Sequence, residues 1–363
     1  KKVRIPCSPR RTRRAFLRYK EVEREISQQE IVDDRLDTLN RVSWLGSRCF
    51  AAVESSIATF NLRPHHGPGA VAERLTSNGK YRDITWHSRL EPFFPFDCYA
   101  GINPGLAGDM LSMARYHDPE QETPVRVISV PKTLKTPRII AIEPACMQYM
   151  QQAIKDELYR EIESDPWLGG HVNFANQEVN RSLARDGSID GRMATIDLSD
   201  ASDRVSLTLA AAVFSKYPTL WSAMLACRST RADVPGVGVM TIGKFASMGS
   251  ALCFPVEALC FYFISICALL ESRALPVTSR NIAKCSKDVY VYGDDIIVPT
   301  HEASAVMTWL EALGLKVNVR KSFVGSNFRE SCGGDYFRGT LVTPVYLREL
   351  MPRNRQDANS VVS

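Results

Sequence analysis

The feature that most constrains this chain is a pair of adjacent aspartates between two apolar runs, Asp288-Val289-Tyr290-Val291-Tyr292-Gly293-Asp294-Asp295-Ile296-Ile297-Val298-Pro299. β-Branched and aromatic residues on both sides of Gly293-Asp294 predict a hairpin with a two-residue turn. Strands that apolar are buried, which leaves the carboxylates at the tip. Two carboxylates there repel each other unless a cation holds them, although a solvated Gly-Asp turn is the plain alternative. A second segment, Thr195-Ile196-Asp197-Leu198-Ser199-Asp200-Ala201-Ser202-Asp203, puts Asp197 at the end of a short strand (193–196) and Asp203 before a helix. One Asp at a strand end beside two at a hairpin tip suits two Mg²⁺ ions roughly 4 Å apart. Such a pair activates an attacking hydroxyl and stabilises the leaving oxygen of an in-line phosphoryl transfer. Capping the following helix is the competing role for Asp203, and the only one expected of Asp200.

The rest of the chain reads as globular. Its 363 residues are 45% apolar and 23% charged, about two domains' worth of core, which excludes a disordered, collagenous or disulfide-miniprotein class. Ten cysteines without a CxxC pair fit buried thiols in a reduced compartment. No signal peptide or stop-transfer pattern is present, and a start at Lys1 without Met suggests a fragment of something longer. Residues 1–20 hold nine Lys or Arg and no acid, so the remaining 343 carry 36 basic and 40 acidic groups. Such an arm binds polyanions or is simply solvated.

Charged helix is expected over 21–53, a loop over 61–69, irregular chain over 91–108, a strand over 125–130, and helices over 147–162, 206–217 and 302–313. The apolar run 251–270 is long enough to suggest a membrane span. Pro255 and Glu257 inside it favour a buried helix instead. Cys253, Cys260 and Cys267 form one stripe on it, spaced about 10 Å apart by helix rise, too far to share an ion. Trp309 and Leu313 read as core, and His65-His66 as loop residues.

The order Asp197-x5-Asp203, Ser247-Met248-Gly249-Ser250, Tyr292-Gly293-Asp294-Asp295 and Lys321 resembles motifs A to D of viral RNA-dependent RNA polymerases. Asn176-Gln177-x-x-Asn180, Asp186-Gly187-Ser188-x-Asp190-Gly191, Phe328-Arg329-Glu330-Ser331-Cys332-Gly333 and Thr343-Pro344 narrow the likeness. Together they resemble the replicase catalytic subunit of the single-stranded RNA bacteriophages, the leviviruses, over residues 125–348.

The resemblance implies an α+β right-hand polymerase. Its parts would be a basic arm (1–20), fingers (21–190, with a phosphate-gripping segment 126–138), a palm with an antiparallel sheet (191–217 and 244–335), a fingers insertion (218–243), and a palm–thumb hairpin with the start of a truncated thumb (328–363). It implies that Asp197 and Asp294, supported by Asp295, hold two Mg²⁺ ions, with Mn²⁺ as a substitute. Arg126, Lys132, Lys135 and Arg138 would grip the incoming triphosphate, and Lys321, with Lys316 as rival, would protonate departing pyrophosphate. Asp203 and Ser250 would select the ribose, since the 2′-OH separates RNA from DNA precursors. Ser247 and Gly249 would also contact the nucleotide, Gly249 letting its loop flex around template and nucleotide. The phage enzymes usually carry Asn at position 250 and Thr at 253, where this chain has Ser and Cys. Partners by resemblance are an RNA template and product, ribonucleoside triphosphates, host elongation factors Tu and Ts and a ribosomal RNA-binding protein, in the cytoplasm of a bacterial host and without a membrane. A reverse transcriptase of intron or retroelement type shares the Tyr-x-Asp-Asp hairpin, and an inactive RNA-binding fragment is the second alternative.

Overall fold

The computed structural model describes residues 8–28, 33–75, 77–81, 85–100, 114–130 and 137–344. Lys132 and Lys135 lie outside the described residues, as do 1–7 of the expected arm and everything beyond 344.

Helices and sheets are mixed along the chain, as an α+β fold requires. The apolar run forms the helix Cys253–Ser272, buried without interruption from Pro255 to Leu270. By length and composition it could cross a membrane. Here it is the core of the protein, wrapped by the helices Asp33–Gly46, Leu207–Phe214, Ser279–Ser286 and Ala303–Ala312. A helix apolar on every side is stable in water only when every side is covered. Cys253, Cys260 and Cys267 are buried free thiols within it, and Trp309 and Leu313 pack in the same core.

Against this core lies a three-stranded antiparallel sheet in the order Met193–Ile196, Asp295–Pro299, Tyr290–Tyr292. A four-stranded sheet joins Arg138–Ile142, Val125–Val130, Arg231–Val234 and Gly238–Thr241, bringing together segments about a hundred residues apart in sequence. Near the C-terminal end of the described chain, Phe328–Ser331, Gly334–Phe337 and Thr340–Leu341 form a third, antiparallel sheet.

The N-terminal region departs from the sequence reading. From Pro9 onward the expected arm is helical, and the same helix runs unbroken to Ser27. Separate helices Asp33–Gly46 and Ala51–Ala58 come next. The Ser8 side chain accepts from the Arg11 N–H and Pro9 occupies the first turn, both strong start signals. Ala15, Phe16, Tyr19, Val22 and Ile26 make one buried stripe, a 3.6-residue period that the dense run of cations conceals. The expected 206–217 helix ends at Phe214, and Pro218 opens the next helix, Pro218–Ala226, at a position where its missing N–H costs nothing. The two loop histidines have protein partners: His65 Nδ1 lies 3.3 Å from Asp156, and the His66 ring packs on Tyr81 and Tyr149.

Candidate active site

Pairing of Tyr292 with Asp295 makes Gly293-Asp294 a two-residue turn. Gly293 has φ +61°, and a Cβ there would come within 2.2 Å of the Phe254 ring. Only glycine fits. In the neighbouring strand Ile196 pairs with Ile296, so one residue further on Asp197 leaves the sheet alongside Asp295. Asp197, Asp294 and Asp295 therefore share one end of one sheet.

Their surroundings differ. Asp294 is exposed. The Asp197 carboxylate accepts from Asn318 Nδ2 at 2.7 Å, and Lys321 Nζ stands 3.8 Å from both Asp197 Oδ1 and Glu330 Oε1. The Asp197 backbone N–H donates to Ser322 Oγ at 3.1 Å, and the Asn318 N–H donates to the Asp197 carbonyl at 2.9 Å. The segment carrying Lys321 is thus stitched to the strand end carrying Asp197. Asp295 accepts from the backbone N–H of Cys332, the tip of the 328–337 hairpin, at 3.2 Å. Burial first, then the charges of Asp294 and Asp197, push the Asp295 carboxyl up to about 7. Asp294 and Asp197 are thus close enough to penalise the charge of Asp295, the mark of a site short of positive charge. Among the described residues no group of three or more His, Cys, Asp or Glu side chains is assembled into a cage. Mg²⁺ does not need one, because it keeps waters and substrate phosphates beside one or two carboxylates. The donor set fits a hard divalent cation.

The remaining expected residues divide. Asp203 stands in the short 3₁₀ turn Ser202–Arg204, and the helix after it is capped by Ser206, whose Oγ accepts from the Leu209 N–H at 3.1 Å. Asp203 is therefore free of the capping role and instead accepts from Lys244 Nζ at 2.8 Å. Ser247 Oγ lies 2.8 Å from the Tyr19 hydroxyl. Ser250 is buried and donates to Gln151 Oε1 at 3.0 Å, which commits its hydroxyl away from Asp203. Gly249 has φ +126°, and a Cβ would overlap the Ala141 carbonyl at 1.9 Å. Arg126 and Arg138 are not brought together. In their strand pair Arg126 faces Ile142 while Arg138 faces Val130, roughly 13 Å apart by strand rise. Arg126 donates to the Val71 carbonyl at 3.3 Å, and Arg138 is exposed. Lys316 is exposed too, its backbone carbonyl accepting from the Ser199 N–H. A groove of about 1410 Å³ runs beside the N-terminal helix, lined by Arg11, Arg14, Arg18, Lys20, Arg24 and Arg320 among others. Among the described residues no aspartate lines it, but Arg320 adjoins Lys321.

Residues 113–356 match the family described as RNA replicase, beta-chain. The chain belongs to that family. Relatives include the RNA-directed RNA polymerase subunit beta of Enterobacteria phage SP, 38% identical over 63% of this chain and 37% of the relative. That of Escherichia virus Qbeta is 34% identical over 61% and 35%, and the beta chain of Escherichia phage MS2 35% over 61% and 37%. The chain thus spans little more than a third of the length of the curated relatives it matches. A solved RNA-dependent RNA polymerase of a human picobirnavirus covers 61% of this chain and 45% of its own at 14% identity with a TM-score of 0.43, a likeness too loose to bear on the fold.

Two residues of this replicase-family chain carry no motif signal of their own. Glu257, on the core helix, is buried against Ser202, and Cys253 Sγ lies 4.0 Å from its Oε2. Burial, followed by the charge of Asp294, raises its carboxyl to about 8. A lone acid inside an apolar run was its only trace in the sequence. Lys244 left no trace, because its partners lie far away along the chain.

Proposed function

We propose that this chain catalyses template-directed nucleotidyl transfer, adding ribonucleoside triphosphates to an RNA 3′-OH as part of a replicase working in the cytoplasm of a bacterial host. The observation that carries this reading is the convergence of Asp197, Asp294 and Asp295 at one sheet end, close enough for two of them to raise the third. Family membership supports an RNA polymerase over a reverse transcriptase.

In this reading Asp197 and Asp294 are the ligands of two Mg²⁺ ions, with Asp295 in support. Bound there, the ions lower the charge on the transferring phosphate and favour ionisation of the attacking hydroxyl. Asn318 and the Asn318 and Ser322 backbone contacts hold the Asp197 carboxylate in place. Lys321, beside Asp197, is placed to give a proton to the departing pyrophosphate. Gly249 lets the Ser247–Ser250 loop lie against Ala141, and Asp203 meets the ribose. The three-stranded sheet with the core helix serves as the palm, the four-stranded sheet belongs to the fingers, and the 328–337 hairpin leads to the thumb. Host elongation factors Tu and Ts and a ribosomal RNA-binding protein are the partners this kinship implies, tested by co-purification with the chain expressed in its host.

The deciding experiment is primer extension with labelled NTP, with and without chelator, on the parent and Asp294→Asn. The parent should incorporate NTP only with divalent ion, and Asp294→Asn should lose at least about a hundredfold in rate with an unchanged thermal melt. A folded Asp294→Asn protein as active as the parent would overturn the metal assignment. Salt-dependent RNA binding without incorporation, even in Mn²⁺, would instead identify an RNA-binding piece.

A further inference from the structure

Lys244 is completely buried, and an ammonium in that position is tolerated only when its charge is matched. Its three partners come from two separate places. Asp203 Oδ1 lies 2.8 Å away in the 3₁₀ turn, Glu23 Oε1 2.9 Å away on the N-terminal helix, and the face of the Tyr19 ring 3.5 Å away on the same helix. The lysine backbone is fixed as well. Lys244 bridges Ser206, and the Phe245 N–H donates to the Val205 carbonyl at 2.8 Å. Glu23 Oε2 accepts from the Gly243 N–H at 2.7 Å. Held by two carboxylates, a ring and its own backbone, the ammonium has no freedom to turn.

The same helix grips the rest of the segment around Asp203. Arg18 pairs with Asp200 at 3.0 Å, Glu25 with Arg204, and the Tyr19 hydroxyl with Ser247 at 2.8 Å. Asp203 itself is about a quarter exposed (24%). Its Oδ1 is locked to a buried cation while part of the side chain meets solvent. A carboxylate has acceptor capacity beyond one donor, so the lysine fixes its direction without exhausting it.

We propose that Lys244, clamped by Glu23 and Tyr19 of the N-terminal helix, is a positioning residue for sugar selection: it aims Asp203 at the 2′-hydroxyl of the incoming ribonucleotide. The inference rests on the polymerase reading above. It makes the cationic N-terminal helix part of the nucleotide site, whatever else its outer face binds.

The test measures kcat/KM for a ribonucleotide and its 2′-deoxy counterpart on the full chain. Lys244→Met should lower the NTP value about tenfold or more and leave the dNTP value near the parent's, collapsing the preference. Glu23→Gln, which removes one charge at constant volume, and Tyr19→Leu, which removes the ring face over the ammonium, should shift the ratio in the same direction by a smaller factor. They carry the test alone if Lys244→Met does not fold. Folded variants in which both values fall in parallel, so that the ratio stays at the parent's, would show a merely structural clamp and overturn the proposal. A parent that incorporates neither nucleotide overturns the polymerase reading itself, and this inference with it.

Discussion

At the scale of single residues, burial links stability to pH away from the site. Glu143 is buried, accepts from Ser229 Oγ at 2.5 Å, and is pushed up to about 7, chiefly by burial. A carboxyl raised on folding contributes fully below its unfolded value near 4.5, and that contribution is lost as pH rises through about 7. Glu143→Gln abolishes the loss. Urea melts at pH 5 and pH 8 should show the variant gaining on the parent by up to about 3 kcal/mol at the higher pH. An equal difference at both pH values would refute this. Gly293 gives a second prediction. Its positive φ and the Phe254 ring leave no room for a methyl, so Gly293→Ala should lower stability by about 1–3 kcal/mol and reduce nucleotide incorporation. A variant with the parent's melting temperature would contradict the assigned turn.

Among elements, the 328–337 hairpin is fastened by two arginines, Arg181, which donates to the Cys332 carbonyl at 3.0 Å, and Arg329. Arg329, fully buried, donates to the carbonyls of Met193 at 2.6 Å, Phe328 at 2.8 Å, Val324 at 3.0 Å and also Ser326. Arg329→Met takes a buried charged donor from these carbonyls, of which, among the described residues, only that of Phe328 also accepts from a side chain, Ser326 Oγ, and should cost about 2–3 kcal/mol. Because the hairpin tip also donates to Asp295, incorporation should fall with stability, and chemical denaturation alongside primer extension would read both. Local elements of this kind were legible in the sequence. The aspartate hairpin announces itself through Gly-Asp between β-rich runs, and the core helix through an unbroken apolar run. The N-terminal helix was only half legible, because nine cations in twenty residues dominate any reading of residues whose apolar stripe is five side chains.

Across the whole molecule, charge is distributed by face. Arg14, Lys20 and Arg24 of the N-terminal helix line the groove together with Arg320. Replacing Arg14, Lys20 and Arg24 together with Gln should weaken RNA binding and flatten its log–log salt dependence by about 2 for single-stranded RNA. Filter binding from low to high salt would check this, and an unchanged slope would place the RNA elsewhere. What the sequence could not convey is the pairing of distant polar groups. Tyr19 and Ser247 are 228 positions apart, and neither residue carries a pattern that names the other. Asp203 was legible as a candidate, but the lysine that anchors it was not. That anchoring has a consequence for biosynthesis. The helix finds the last of its docking partners only when the 243–247 segment has been made, with Gly243 lying 220 positions beyond Glu23. The proposed nucleotide site is thereby completed by a long-range closure of the kind that slows folding.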